Sequence, residues 1–207
     1  DIGRLLLYVQ YRAAAKRELE LLRGNHWFMG RTLWDRAWLE AVNPTATYFH
    51  VPELLRSAFY GGAPWDVASC ERHRIIFTNA NTYYRGTEVL LEAMAILKRE
   101  FADVTLAIGG GNNRGSTGRR IMRAARRFGV EGAVQFLGRL NARQMVDELR
   151  RAHVYAIASL AENSPNSLCE AQLAGLPCTA SYVGGIPSLV DDGVTGFLFP
   201  PGDANGD

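Results

Sequence analysis

The chain has 207 residues, 47% of them apolar and 21% charged, the proportions of a globular protein with one full domain and part of another. Its formal charge of +2, with no basic stripe interleaved with aromatics, argues against a nucleic-acid partner. No apolar run approaches the roughly 18 residues of a membrane span, and the opening DIGRLLLYVQ lacks the charged start and cleavage pattern of a signal peptide.

Residues 11–23 (YRAAAKRELELLR) are good helix formers and stop at Gly24, a C-cap signal. HWFMG then reads as a short strand. Thr32 and Asp35 have the spacing of a capping box opening a helix to about Ala41, and TYFHV follows the Asn43-Pro44 break as another strand. PELLRSAFY is a second helix-like piece, ending in the Gly61-Gly62-Ala63-Pro64 punctuation. A domain boundary is expected near residue 70, with 1–70 the end of one α/β domain together with an interdomain segment and 71–207 a second domain, expected to be cut short at its C-terminus. Asp1 is not a methionine and PGDANGD stops in a loop, so a piece of a longer protein is expected.

From Arg74 the pattern alternates. Strands RIIFTN, VTLAIG, AVQFLG, VYAIAS and PCTAS are separated by helices over Thr87–Glu100, Thr117–Phe128, Ala142–Arg151 and about Pro165–Ala174. The expected fold is α/β: a Rossmann-like parallel sheet with helices on both faces, preceded by a partial second α/β domain. Ligands of such sheets bind beyond the carboxyl ends of the strands.

Two phosphate motifs fail in GGGNNRGST. A dinucleotide fingerprint counted from Gly109 and Gly111 meets Arg114 in place of glycine, and a Walker A loop counted from Gly110 meets Ser116 in place of lysine. The stretch reads either as a tight turn out of its strand or as a backbone contact with a ligand through Gly110. Glu162 and Glu170 lie eight apart, a spacing that chance supplies; Glu92 and Glu100 share it in an amphipathic, solvated helix. What sets the first pair apart is a helix opening between them. Ser164 is the expected N-cap and Pro165 the expected first helical residue, and Asn166 sits one turn before Glu170 on the same face. A helix mouth attracts phosphate, and a nearby carboxylate can hold a sugar hydroxyl.

The stretch SLAENSPNSLCEAQLAGLPCTASYVGGIP is similar to the E-x7-E signature of family 4 retaining glycosyltransferases of the GT-B fold. It carries Ser159 before the first glutamate, Glu170-Ala171, Gly175-x-Pro177 and Gly184-Gly185. The likeness runs from about Arg74 to Asp203 and includes FLG at 136–138 and DGVTGFLFPPGD. It implies a C-terminal donor-binding domain preceded by the end of an acceptor-side domain. It further implies transfer of a hexose from a nucleoside diphosphate sugar to a saccharide or lipid-linked acceptor, retaining the anomeric configuration, in cell-surface polysaccharide or glycolipid synthesis. A non-catalytic nucleotide-sugar-binding module is the alternative.

By the same resemblance Glu170 would bind the ribose hydroxyls and Glu162 the transferred sugar. The turn through Asn163, Ser164, Asn166, Ser167 and Leu168 would meet the diphosphate or sugar, with Gly184 and Gly185 beside it. Arg139 and Leu140 would pack on the nucleobase, or form a plain surface loop. The family's two phosphate-gripping cations fall on Ala80 and on Arg85-Gly86, so Arg85 keeps its charge and the first cation is missing. Asn79, Asn81 or a residue outside this chain would then compensate. No D-x-D motif is present, so no metal and no cofactor is expected, and leaving-group charge would fall on Arg85 and the helix mouth.

The arginines at 119, 120, 123, 126 and 127 suggest either peripheral contact at the inner face of a membrane or a solvated face in a chain with 21 arginines and two lysines. His26, His50, His73 and His153 lack ligand spacing. Cys70, Cys169 and Cys178 form no C-x-x-C pair and read as reduced thiols in a cytoplasmic setting.

Overall fold

The computed structural model of the chain describes residues 2–78, 80, 82–111 and 114–205. It divides into two compact units, residues 1–53 and 54–207.

The first unit holds helix α1 (Ile2–Gly24), strand β1 (Trp27–Gly30), helix α2 (Leu33–Val42) and strand β2 (Thr47–His50). Helix α1 begins well before the expected start at residue 11, since neither Gly nor Pro interrupts residues 4–23. The capping box forms as read. The Thr32 hydroxyl accepts from the Asp35 N–H at 3.2 Å, and the Asp35 carboxylate accepts from the Thr32 N–H. The Asn43 amide donates to the carbonyls of Leu22 and Asn25 at 2.8 and 2.9 Å, satisfying orphan acceptors at the end of α1. Strands β1 and β2 pair in parallel from Trp27↔Thr47 to Gly30↔His50. Arg31 and Glu53, 2.6 Å apart, tie down the last residue of the unit.

The second unit is built on strands β3 (Arg74–Thr78), β4 (Thr105–Gly109), β5 (Val134–Gly138), β6 (Val154–Ile157), β7 (Cys178–Ser181) and β8 (Phe197–Phe199). Helices α3 (Thr87–Leu97), α4 (Ser116–Arg127), α5 (Ala142–Arg151) and α6 (Asn166–Leu173) connect the successive strands from β3 to β7. The sheet runs β5-β4-β3-β6-β7-β8 with every neighbouring pair parallel. Counted within the unit this is the doubly wound order 3-2-1-4-5-6, whose direction reverses between β3 and β6. Alternate side chains feed two cores. Ile76, Tyr155 and Ile157 pack with Leu149 of α5 and Leu168 of α6, whereas Phe77, Leu106 and Ile108 pack with Leu91 of α3 and Ile121 of α4.

Two sequence expectations are corrected here, and one strand escaped the sequence. PELLRSAFY is not a helix: it forms one 3-10 turn at Ser57–Phe59, entered from Arg56 in extended backbone (φ −64°, ψ 137°) and followed at once by Gly61-Gly62. The units part between Glu53 and Leu54, not near residue 70. Residues 54–70 are held to the sheet domain by buried Phe59 in the α5–α6 core, and by Trp65, whose indole donates to the Ala152 carbonyl at 2.7 Å and whose N–H donates to that of Ala174 at 2.8 Å. Strand β8 was not foreseen, because three residues are too few to show a period; pairing of Thr179–Ser181 with Phe197–Phe199 makes it.

Two devices hold the carboxyl edge of the sheet at its reversal point. Tyr155 is fully buried, donates its hydroxyl to Ser167 Oγ at 2.8 Å, and meets Thr78 Oγ1 at 3.2 Å, so β3, β6 and the first turn of α6 share one chain of hydroxyls. Gly86 (φ 69°) lies so close to β6 that a Cβ there would stand 1.6 Å from the Ala158 carbonyl oxygen.

Two outcomes follow for stability. Gly86→Ala should lose more than about 3 kcal/mol by denaturant unfolding, whereas Gly129→Ala, with a similar φ of 71° and nothing within 4 Å of its Cβ, should lose only about 1 kcal/mol. Tyr155→Phe should cost about 1–3 kcal/mol by leaving two hydroxyls without their partner. Burial pushes the Tyr155 phenol up to about 12. Its neutral form therefore supports the fold below pH ~10 and that support is lost as pH rises towards 12, a decline that Tyr155→Phe should flatten.

Candidate functional site

The crevice forms where the strand order reverses, because connections leaving β3 and β6 depart to opposite faces of the sheet and leave their loops side by side. The loop after β3 ends in a 3-10 turn, Tyr83–Arg85, and Gly86 then opens α3. The loop after β6 carries Glu162 and opens α6. The two are joined by the Leu160 N–H, which donates to the Tyr84 carbonyl at 2.7 Å, and by a close ion pair in which Arg85 Nη1 donates to Glu162 Oε2. The Arg85 guanidinium also stands 5.4 Å over the Tyr84 ring, and both charged side chains are largely buried. Glu162 Oε1 accepts from the Asn163 N–H at 3.2 Å.

Helix α6 begins one residue later than the sequence suggested. Pro165 (φ −75°, ψ 106°) is the N-cap in place of Ser164, since its carbonyl accepts from the Leu168 N–H at 2.9 Å. That bond occupies the Leu168 N–H, and the buried Leu168 side chain anchors the helix to the sheet; Leu168 is therefore withdrawn from the ligand-facing set. Asn163 and Asn166 are exposed at the mouth, and Ser164 and Ser167 are half-buried there.

Glu170, one turn into α6, is 5% exposed. Its carboxylate is gripped by Arg56, whose Nε donates to Oε1 at 2.7 Å and Nη2 to Oε2 at 2.8 Å. The bond to Glu170, before any other influence, raises the pKa of Arg56 further. Arg56 also stands 4.9 Å over the Phe59 ring. Nothing in the sequence pointed to this pair, since 114 residues separate its members.

The remaining expected residues fall around the same edge with unequal roles. A Cβ on Gly184 (φ 55°) would stand 1.7 Å from the Glu162 carbonyl oxygen, so this glycine, like Gly86, is required by packing of the crevice walls. Gly185 is buried, and its carbonyl accepts from the Ser188 N–H in the next turn. Gly110 donates its N–H to the Gly138 carbonyl at 2.8 Å and lines a cavity of about 200 Å³ with Ala80, Gly111, Ser116, Thr117 and Phe136. Arg139 is exposed and Leu140 half-buried in the loop after β5.

Ala80, standing where the first phosphate cation was expected, is 1% exposed and belongs to the α3–α4 core. Asn79 and Asn81 lie outside the described residues, as do Asn112 and Asn113 of the glycine-rich loop. The hydroxyls of Thr82 and Ser159, in the loops flanking the Arg85–Glu162 pair, and of Thr87, the first residue of α3, have no hydrogen-bond partner among the described residues. No three His, Cys, Asp or Glu side chains gather among the described residues in a way that could hold a metal ion. No described helix is long and apolar enough to cross a membrane.

Comparison with known proteins accords with this geometry. Residues 72–206 match the family model described as glycosyl transferases group 1. The chain is 32% identical over 127 residues to a D-inositol 3-phosphate glycosyltransferase of Corynebacterium aurimucosum, covering 60% of this chain and 30% of that one. It is 34% identical over 120 residues to a protein of the same name in Streptomyces scabiei, covering 55% and 27%. Among solved structures, sucrose-phosphate synthase from Thermosynechococcus elongatus superposes with a TM-score of 0.76 at 23% identity, over 91% of this chain and 49% of that one. Anabaena HepE in complex with UDP and glucose gives 0.68 at 20% identity, over 86% and 50%. The chain thus spans less than a third of those curated relatives and about half of those solved chains. At such identities the solved structures speak for the fold alone. The match over residues 72–206 covers most of the sheet domain, and the chain belongs to the glycosyl transferases group 1 family.

Proposed function

We propose that the protein contributes the donor-binding half of a retaining glycosyltransferase that moves a hexose from a nucleoside diphosphate sugar to an acceptor hydroxyl, in synthesis of a cell-surface polysaccharide or glycolipid. The observation that carries this reading is the placement of two carboxylates, Glu162 and Glu170, on either side of one helix mouth at the reversal point of a doubly wound sheet, each neutralised by an arginine. A diphosphate at that mouth would meet the positive end of α6 and the Arg85 guanidinium, a fork suited to phosphate oxygens. Arg85 would then exchange its bond to Glu162 for the leaving phosphate, freeing Glu162 to accept from a sugar hydroxyl. Glu170 would hold the ribose diol. In this scheme the departing phosphate takes the acceptor proton, and no metal or cofactor takes part.

The UDP complex of HepE makes a uridine nucleotide the first donor to try, and the inositol phosphate relatives make a phosphorylated polyol one acceptor class beside saccharides and lipid-linked sugars. A cytoplasmic setting with peripheral contact at the inner membrane face would suit Arg119, Arg123 and Arg126, which are exposed on α4, although Glu88 already pairs with Arg120 and Arg127. The buried Ala80 favours one second reading, a module that binds nucleotide sugars without catalysis.

Calorimetry separates the roles. Arg85→Ala should weaken UDP by about 1.5–3 kcal/mol and uridine far less; equal losses would remove Arg85 from the phosphates. Glu170→Ala should abolish any preference for UDP over its 2′,3′-dideoxy analogue, and a preference kept intact would move Glu170 away from the ribose. EDTA should leave UDP binding unchanged. Loss on chelation would overturn the metal-independent scheme.

A further inference from the structure

The Arg56–Glu170 pair occupies the group that the proposed function assigns to the ribose. Glu170 is buried, with a side chain 6% exposed, and both carboxylate oxygens already accept from Arg56. The guanidinium presents two parallel N–H donors to one edge of the carboxylate, and a ribose cis-diol presents two O–H donors at a similar spacing to that same edge. The two are rivals for one surface. With its side chain 6% exposed, the carboxylate has little surface to offer a diol beside the bonds to Arg56.

Arg56 is built to yield. Its side chain is 46% exposed, its backbone is extended and outside any helix, and the face of Phe59 beneath it gives the guanidinium a surface over which to swing towards water without losing its charge. Phe59 itself is fixed in the α5–α6 core, so the pivot stays in place when the arginine moves. Ion pairs with one exposed partner are worth little, whereas a buried carboxylate left unpaired is costly. Arg56 therefore protects Glu170 while the site is empty and can be displaced by a ligand bringing two hydroxyls.

We infer that Arg56 is a gating residue of the donor site: it covers Glu170 in the free protein, and binding of a nucleotide through its ribose diol requires the exchange of the Arg56–Glu170 pair for diol–Glu170 hydrogen bonds. This rests on the ribose assignment of Glu170. A nucleotide without the diol has nothing to exchange and leaves the pair in place, so Arg56 lowers the affinity for ribonucleotides alone and narrows their advantage over dideoxy analogues.

The test measures UDP and 2′,3′-dideoxy-UDP binding by calorimetry on the whole chain and its variants. Arg56→Ala should bind UDP roughly fivefold to twentyfold more tightly while dideoxy-UDP stays within about twofold of the unsubstituted chain. Arg56→Lys, which keeps one hydrogen bond to Glu170 and guards against misfolding of the alanine variant, should fall between. Three results would overturn the gate: UDP affinity unchanged in both variants, UDP alone weakened, which would make Arg56 an aligning support for Glu170, or both nucleotides weakened together, which would make Arg56 a phosphate or base contact. Failure of the ribose assignment reads differently. Glu170→Ala would then keep the full preference for UDP over dideoxy-UDP, or neither nucleotide would bind the unsubstituted chain, and the gate would fall with it.

Discussion

The structure turns on the close approach of two backbones at the reversal of strand order. Where β3 and β6 lie side by side, the chain leaving β3 must pass the chain leaving β6 at a distance that admits no side chain at residue 86, and the chain after β7 must pass Glu162 at a distance that admits none at residue 184. These contacts bring the 3-10 turn carrying Arg85 within reach of the loop carrying Glu162. The buried hydroxyl chain from Thr78 through Tyr155 to Ser167 then fixes the first turn of α6 against the same strands. The site is thus a product of parallel topology, with loops and helix mouth held by the rigid edge of a sheet.

Charge is arranged on that frame so that neither Glu162 nor Glu170 stands alone. A buried acid without a partner would cost several kcal/mol, and here each of the two glutamates has its own arginine. Under the proposed function, binding of an anionic ligand with hydroxyl groups would be an exchange of partners: phosphate for Glu162 at Arg85, diol for Arg56 at Glu170. Ala80, buried in the α3–α4 core, brings no charge to the crevice, so in the proposed scheme the phosphate's charge would fall on Arg85 and on the mouth of α6.

Most of the fold was legible in the sequence because α4 and α5 have strong apolar periodicity, α3 is built of helix formers, α6 is announced by its Ser-Pro opening, and the first five strands of the sheet are apolar runs bounded by turn residues. The elements that were not read fall short of any period: three residues of β8, and the single turn at Ser57–Phe59 inside a segment with helical composition. The boundary near residue 70 was misplaced for a related reason. Glycine and proline at 61–64 punctuate the chain locally, yet Phe59 and Trp65 on either side are already packed into the sheet domain, and packing decides where a domain begins.

Within the site, the sequence by itself determined the residue types at the helix mouth and the two glutamates with a helix opening between them. These are local facts, encoded in spacing and capping chemistry. That position 80 should carry a cation came from the family resemblance alone. Only the tertiary structure decided what each glutamate touches, that Gly184 and Gly86 serve the approach of backbones, that Gly185 and Leu168 are buried, and that Arg56 reaches Glu170 across 114 residues. The reason is physical: a hydrogen bond between distant residues exists only because two strands and a helix hold its ends together, and no local pattern of residues carries that distance.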